Sequence, residues 1–163
     1  MSTSAGMNVT VQPGTESRVL AEGYGPGAWH GPDLKAALSD VTSALAFWRP
    51  QPGRHNIAEI ALHHAYYARA VRLQLSGQPG EPFVLTGEDW FEVNDDRTLP
   101  WPKVQATVDS EQRRLGELVA DIETGKVMSP LADADRLNLV LGITCHAVYH
   151  AGQIQLIKRL RGE

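Results

Sequence analysis

The chain has 163 residues, 42% of them hydrophobic and 21% charged, which suits one domain burying roughly 70% of the surface its unfolded chain would expose. A formal net charge of −4 and a pI near 5.8 argue against a sequence-independent grip on nucleic acid, which needs a basic surface. The single cysteine, Cys145, excludes an internal disulfide framework, and no run approaches the roughly 18 apolar residues of a membrane span.

The start, Met1 to Gly14, is rich in Ser, Thr and Gly and lacks the basic start and apolar run of a signal peptide. A flexible tail over residues 1–14 and a cytoplasmic protein are expected. Four helical stretches follow. Pro32 suits a helix's first turn, and Leu34, Leu38, Val41, Leu45 and Phe47 carry a helical pattern up to Arg49-Pro50. The second stretch opens at Asn56, where Glu59 three residues on fits a capping box, and ends at Ser76-Gly77. Residues 78–100 hold Gly80, Pro82, Gly87, Asn94 and Pro100 and read as a long irregular connection placed to cover part of a site. Pro102 opens the third stretch, with Val104, Val108, Leu115, Leu118, Val119 and Ile122, closing near Gly125. The fourth runs from about Asp133 to Arg161, and its final Lys158-Arg159-Leu160-Arg161 complements the negative end of a helix. With no β alternation and no internal repeat, the expected class is all-α, a four-helix bundle forming one domain over residues 1–163.

The chemistry concentrates in the fourth stretch. Leu139, Ile143, His146, His150, Ile154 and Ile157 are spaced by three or four and form one helix face, so the two histidines stand inside the apolar stripe. Residues four apart lie one turn apart, which lets two imidazoles converge on one metal ion. The bland reading is a pair of neutral core histidines, but four buried ring nitrogens would then each need a partner. The second stretch offers His63 and His64. Adjacent helical residues point about 100° apart, so both cannot face the core equally. One stripe runs Ile60, His63, Tyr67, Ala70 and another Ile57, Ile60, His64, Tyr67, Val71, and periodicity does not choose between them.

These segments resemble a known family. Ile57-Ala58-Glu59-Ile60-Ala61-Leu62-His63, followed by Tyr66-Tyr67, resembles the second helix of the DinB/YfiT-like superfamily. His146-Ala147-Val148-Tyr149-His150-Ala151-Gly152-Gln153-Ile154 resembles its last helix closely, and Ala28-Trp29-His30-Gly31-Pro32 resembles the start of a subgroup. The resemblance implies a four-helix bundle of variant up-and-down topology, often a homodimer, with a divalent metal on His63, His146 and His150. His64 departs from the pattern, standing where that family commonly has an apolar residue. The family takes its name from damage-inducible genes, which implies no DNA binding.

Three neutral His ligands leave positions open on a metal, as in catalytic rather than structural zinc sites. An open site can lower the pKa of bound water or hold a thiolate. Zinc is the default metal, with nickel, iron and manganese as alternatives. The resemblance implies a metal-dependent enzyme acting on a small molecule, either an S-transferase or isomerase using a low-molecular-weight thiol (bacillithiol or mycothiol) or a hydrolase. A non-catalytic stress or ligand-binding bundle is the competing class. Around the ligands, Glu59 is read first as a capping residue, His55 as a helix-entry residue and His30 as orienting the loop before the first helix. Cys145 is read as a packed thiol rather than a nucleophile. Tyr149 and Gln153 are candidates for hydrogen bonds to the ligands but are read first as packing between helices, and Trp90 and Trp101 are read as pocket-mouth residues or buried anchors.

Overall fold

In the computed structural model, which describes residues 14–162, every regular element among the described residues is helical. The expected tail lies outside the described residues except for Gly14. The helices are α1 (Thr15–Gly23), α2 (Leu34–Leu38), α3 (Ser43–Ala46), α4 (Ile57–Ser76), α5 (Trp101–Glu123) and α6 (Asp133–Arg161).

The three long helices begin and end where local chemistry dictates. Asn56 caps α4, its side-chain oxygen accepting from Glu59 N–H at 2.9 Å. Gly77 closes it at φ 66°, a left-handed conformation, and a Cβ there would meet Pro130 Cγ at 2.9 Å. Pro102 sits in the first turn of α5, where no backbone donor is needed. In α6, Asp133 and Asp135 occupy the first turn and Lys158, Arg159 and Arg161 the last, matching the helix dipole.

The stretch expected to be one helix from Pro32 to Arg49 is instead two short helices. Asp33 caps α2, leaving Pro32 outside it, and Thr42 caps α3, accepting from Leu45 N–H at 3.3 Å. A capping Thr42 takes an extended backbone, φ −82° and ψ 161°, so the chain turns between the two. The helix completing the packing is α1, a segment in which no helix was expected. α4 packs on α5 and α6, while α1 packs on α6 and α5, closing a ring of four. At the α1–α6 contact a Cβ on Gly23 would lie 2.9 Å from Ala147 Cβ and 3.1 Å from the Thr144 carbonyl oxygen.

The apolar core divides into two clusters. One holds Ala65 and the preceding half of α4, Val108, Ala147 and the later half of α6; the other holds Ala68, Leu115, Ile143 and α1's Leu20. Between them lies a polar layer in which α4 contributes His64, α5 Gln112 and α6 His146.

The connection over residues 78–100 has no regular structure but is held down firmly. Phe91, Val93 and Leu99 are buried. Glu81 pairs with Arg72 of α4 and with Arg114 of α5, the latter at 2.8 Å. Asn56 Nδ2–H donates to the Val93 carbonyl at 2.8 Å, and Val93 N–H donates to Glu59 Oε1 at 3.1 Å. The capping reading of Glu59 is therefore half right: its backbone N–H completes the cap, but its carboxylate ties the connection and Arg49 to α4. No helix among the described residues is long and apolar enough to cross a membrane.

Candidate metal centre

α4 and α6 face each other in the middle of the molecule and bring His63, His146 and His150 together. Ligand atoms of all three lie within 4.8 Å of one another. His146 Nε2 is 3.1 Å from His63 Nε2 and 3.1 Å from His150 Nε2. These are the three histidines that the family resemblance implies as ligands. His64, the neighbour that periodicity could not separate from His63, is fully buried but reaches the opposite side of the His146 ring, with Nδ1 to Nδ1 at 3.1 Å.

The second nitrogen of each ring decides what the first can do. His63 Nδ1 is 3.1 Å from the Asp89 carbonyl oxygen and 3.0 Å from Asp89 Oδ1, so Nδ1 carries the proton and donates. His150 Nδ1 lies 2.7 Å from Gln153 Oε1, and Gln153 Nε2–H donates to the Tyr149 hydroxyl at 3.1 Å, which turns the amide oxygen toward His150. Gln112 Oε1 accepts from His64 Nε2–H at 3.2 Å, leaving His64 Nδ1 to accept from His146 Nδ1–H. All three Nε2 atoms are then bare lone pairs. Two acceptors cannot hydrogen-bond to each other, and at 3.1 Å a shared cation would satisfy them. Three nitrogens at bonding distance from one tetrahedral zinc ion stand about 3.3 Å apart, close to the two 3.1 Å separations here, so the group could hold such an ion.

Electrostatics keep the rings neutral near pH 7. Burial, reinforced by the neighbouring histidines, pushes His146 down to about 3. Burial holds His150 and His64 at about 4, partly opposed by Gln153 and Gln112 respectively. His63 is also lowered by burial, with Asp89 working against the shift. Neutral imidazoles are the form that binds metal.

The irregular connection supplies two residues that periodicity could not reveal. Asp89 has φ 63°, a left-handed conformation that aspartate tolerates better than most residues, and there it meets His63 with both its carbonyl and its carboxylate. Trp90 next to it stacks on His63 at 3.8 Å between ring centroids and on His55 at 3.7 Å. His55 in turn lies 2.9 Å from Glu59 Oε2, so it is a wall residue rather than a member of the histidine group.

The three histidines lie in the wall of an open cavity of about 780 Å³. Trp48, Ile60, Trp90, Leu156, Ile157 and Leu160 give it an apolar lining, and Gln51, Arg54, His55 and Gln153 add polar groups. Its size suits a drug-sized small molecule. Trp101 does not join it; buried, it donates from Nε1 to the Val41 carbonyl at 2.7 Å and anchors the start of α5. His30 reaches the Glu22 carbonyl at 2.8 Å and orients the loop that follows α1. Cys145 corrects the packed-thiol expectation: it is exposed on the outer face of α6, pointing away from the side that carries His146 and His150.

No curated protein and no solved structure matches the chain. The family model of the DinB superfamily matches residues 28–154, which include every residue of the histidine group, and the chain belongs to that superfamily.

Proposed function

We propose that the protein is a metal-dependent enzyme whose divalent cation, zinc by default, is held by His63, His146 and His150, and that it transfers or isomerises a small electrophile using a low-molecular-weight thiol. The observation that carries the reading is the convergence of three Nε2 atoms, each left without a proton by its ring's other bond, on the wall of an open cavity. Membership of the DinB superfamily supports it. With three protein ligands, a cation retains room for an exogenous group. When bound, it supplies Lewis acidity that favours a thiolate, or activates water in a hydrolytic variant.

The chain's own residues do the rest. Asp89, Gln153 and His64 hold the rings in place, and Trp90 walls His63 off on one face. The apolar wall of Leu156, Ile157 and Leu160 seats the body of a substrate. The test is turnover of a model electrophile by zinc-loaded full-length protein with and without bacillithiol or mycothiol, followed by mass spectrometry of the thioether. Thiol-dependent loss of electrophile is expected. Equal turnover without thiol would sink S-transfer in favour of hydrolysis, and no turnover of either kind would favour a binding protein.

A further inference from the structure

His64 is fully buried at the centre of the molecule and stands outside the three-nitrogen group. It is too deeply set to touch solvent, and among the described residues its hydrogen-bond partners are His146 Nδ1 at 3.1 Å and Gln112 Oε1 at 3.2 Å. We propose that His64 and Gln112 act as a positioning relay that fixes His146 in the tautomer with its proton on Nδ1 and its Nε2 bare, so that this chain orients one metal ligand with a second histidine. The proposal rests on the metal-site reading above.

The relay has one direction that works. Gln112 presents its oxygen, so His64 donates from Nε2 and its Nδ1 becomes an acceptor; His146 must then donate from Nδ1, which clears Nε2. Were the Gln112 amide turned to present its NH2, every proton in the row would reverse, and His146 would carry hydrogen on the nitrogen that faces His63 and His150. A metal on that nitrogen and the Gln112 oxygen on His64 are therefore two ends of one requirement. Groups that accept the distal N–H of a ligating histidine set its ring orientation and basicity, and their loss typically weakens metal binding about 10–100-fold. Asp89 and Gln153 do this for His63 and His150. His64 completes the set for the third ring, from inside the polar layer that separates the two apolar clusters.

The layer's placement argues against a filler role. An apolar residue at position 64 would join the neighbouring core residues Ala61, Ala65 and Ala68 without difficulty, whereas a histidine there must have both nitrogens satisfied. Gln112 also borders a second cavity of about 670 Å³ between α1 and α5, so its side chain has space on one side and is held on the other by His64.

The test uses full-length, tag-free protein. Zinc affinity is measured by chelator competition for the wild type, His64→Leu, His64→Asn, Gln112→Met and Gln112→Glu, and the protonated nitrogen of His146 is read by nitrogen-15 NMR in metal-free and zinc-loaded wild type. His64→Leu and Gln112→Met should weaken zinc binding about 10–100-fold. His64→Asn, whose amide oxygen can accept from His146, and Gln112→Glu, which as a carboxylate can only accept, should recover most of the loss. The NMR spectrum should place the His146 proton on Nδ1. A folded His64→Leu protein that binds zinc as tightly as the wild type would overturn the proposal, as would a His146 proton on Nε2. If His64→Leu does not fold, Gln112→Met and the wild-type spectrum still decide. A wild type that binds no zinc would sink the metal reading itself, while the metal-free spectrum would still judge the relay.

Discussion

A neutral imidazole has one donor and one acceptor, and around the centre each donor is already committed to Asp89, Gln153 or His64. The same accounting explains Glu59, whose buried carboxylate meets Arg49, His55 and Val93 N–H together. Burial alone would raise its pKa, but these partners outweigh burial and hold it below the usual value. A folded-state pKa below the unfolded one means stability that is present above the ordinary carboxylate range and lost as the pH falls through the folded value. Glu59→Gln should therefore cost about 3 kcal/mol at neutral pH, at the low end for a broken buried pair because Arg49 keeps Asn94 and the Arg54 carbonyl. Urea midpoints should show that gap shrinking as the pH is lowered from about 7 toward about 3; a constant gap would mean the carboxylate charge is not what stabilises. At this scale the histidines on α6 were legible because i, i+4 spacing puts two rings on one face, whereas Gln153, read first as a packing residue, turns its amide oxygen to His150. Asp89 and Gln112 were not assigned to the centre, and Trp90 was read only as a pocket-mouth residue or a buried anchor. Two sit in an irregular segment and the third on a helix facing away from any motif, so no periodicity carried them. Cys145 was misread because adjacency to a half-buried ligand says little about a side chain turned about 100° away.

Helices declare themselves through their ends. α4, α5 and α6 have an Asn cap with a closing glycine, a first-turn proline, and charges matched to the dipole, and all three were legible. The region between Pro32 and Arg49 has apolar residues at helical spacing, but Asp33 and Thr42 each cap a separate short helix and the chain bends between them. α1 gave little signal because it buries few side chains and makes its contact through absence: Gly23 lets its backbone approach Ala147 and Thr144. That contact is testable. Gly23→Val should destabilise the protein by about 1–3 kcal/mol, as overpacking does, and lower its thermal midpoint by several degrees. A neutral effect would show that α1 and α6 can separate freely at that point.

At the scale of the whole molecule, the ring of α1, α4, α5 and α6 surrounds a core divided by a polar layer, and the proposed metal centre lies beside that layer. Burying so many imidazoles costs free energy unless every nitrogen has a partner. The hydrogen bonds satisfy all but the three Nε2 atoms, the ones that a cation held by the proposed centre would satisfy. The cavity above it and the connection that delivers Asp89 and Trp90 give such a cation an approach and a wall.

The most direct measurement is the metal content of tag-free protein by elemental analysis, beside a His63→Ala, His146→Ala, His150→Ala triple variant checked for folding by circular dichroism. About one divalent metal ion per chain is expected in the wild type and none in the folded variant. A wild type without metal after reconstitution, or a variant that keeps its metal, would contradict the proposed metal centre.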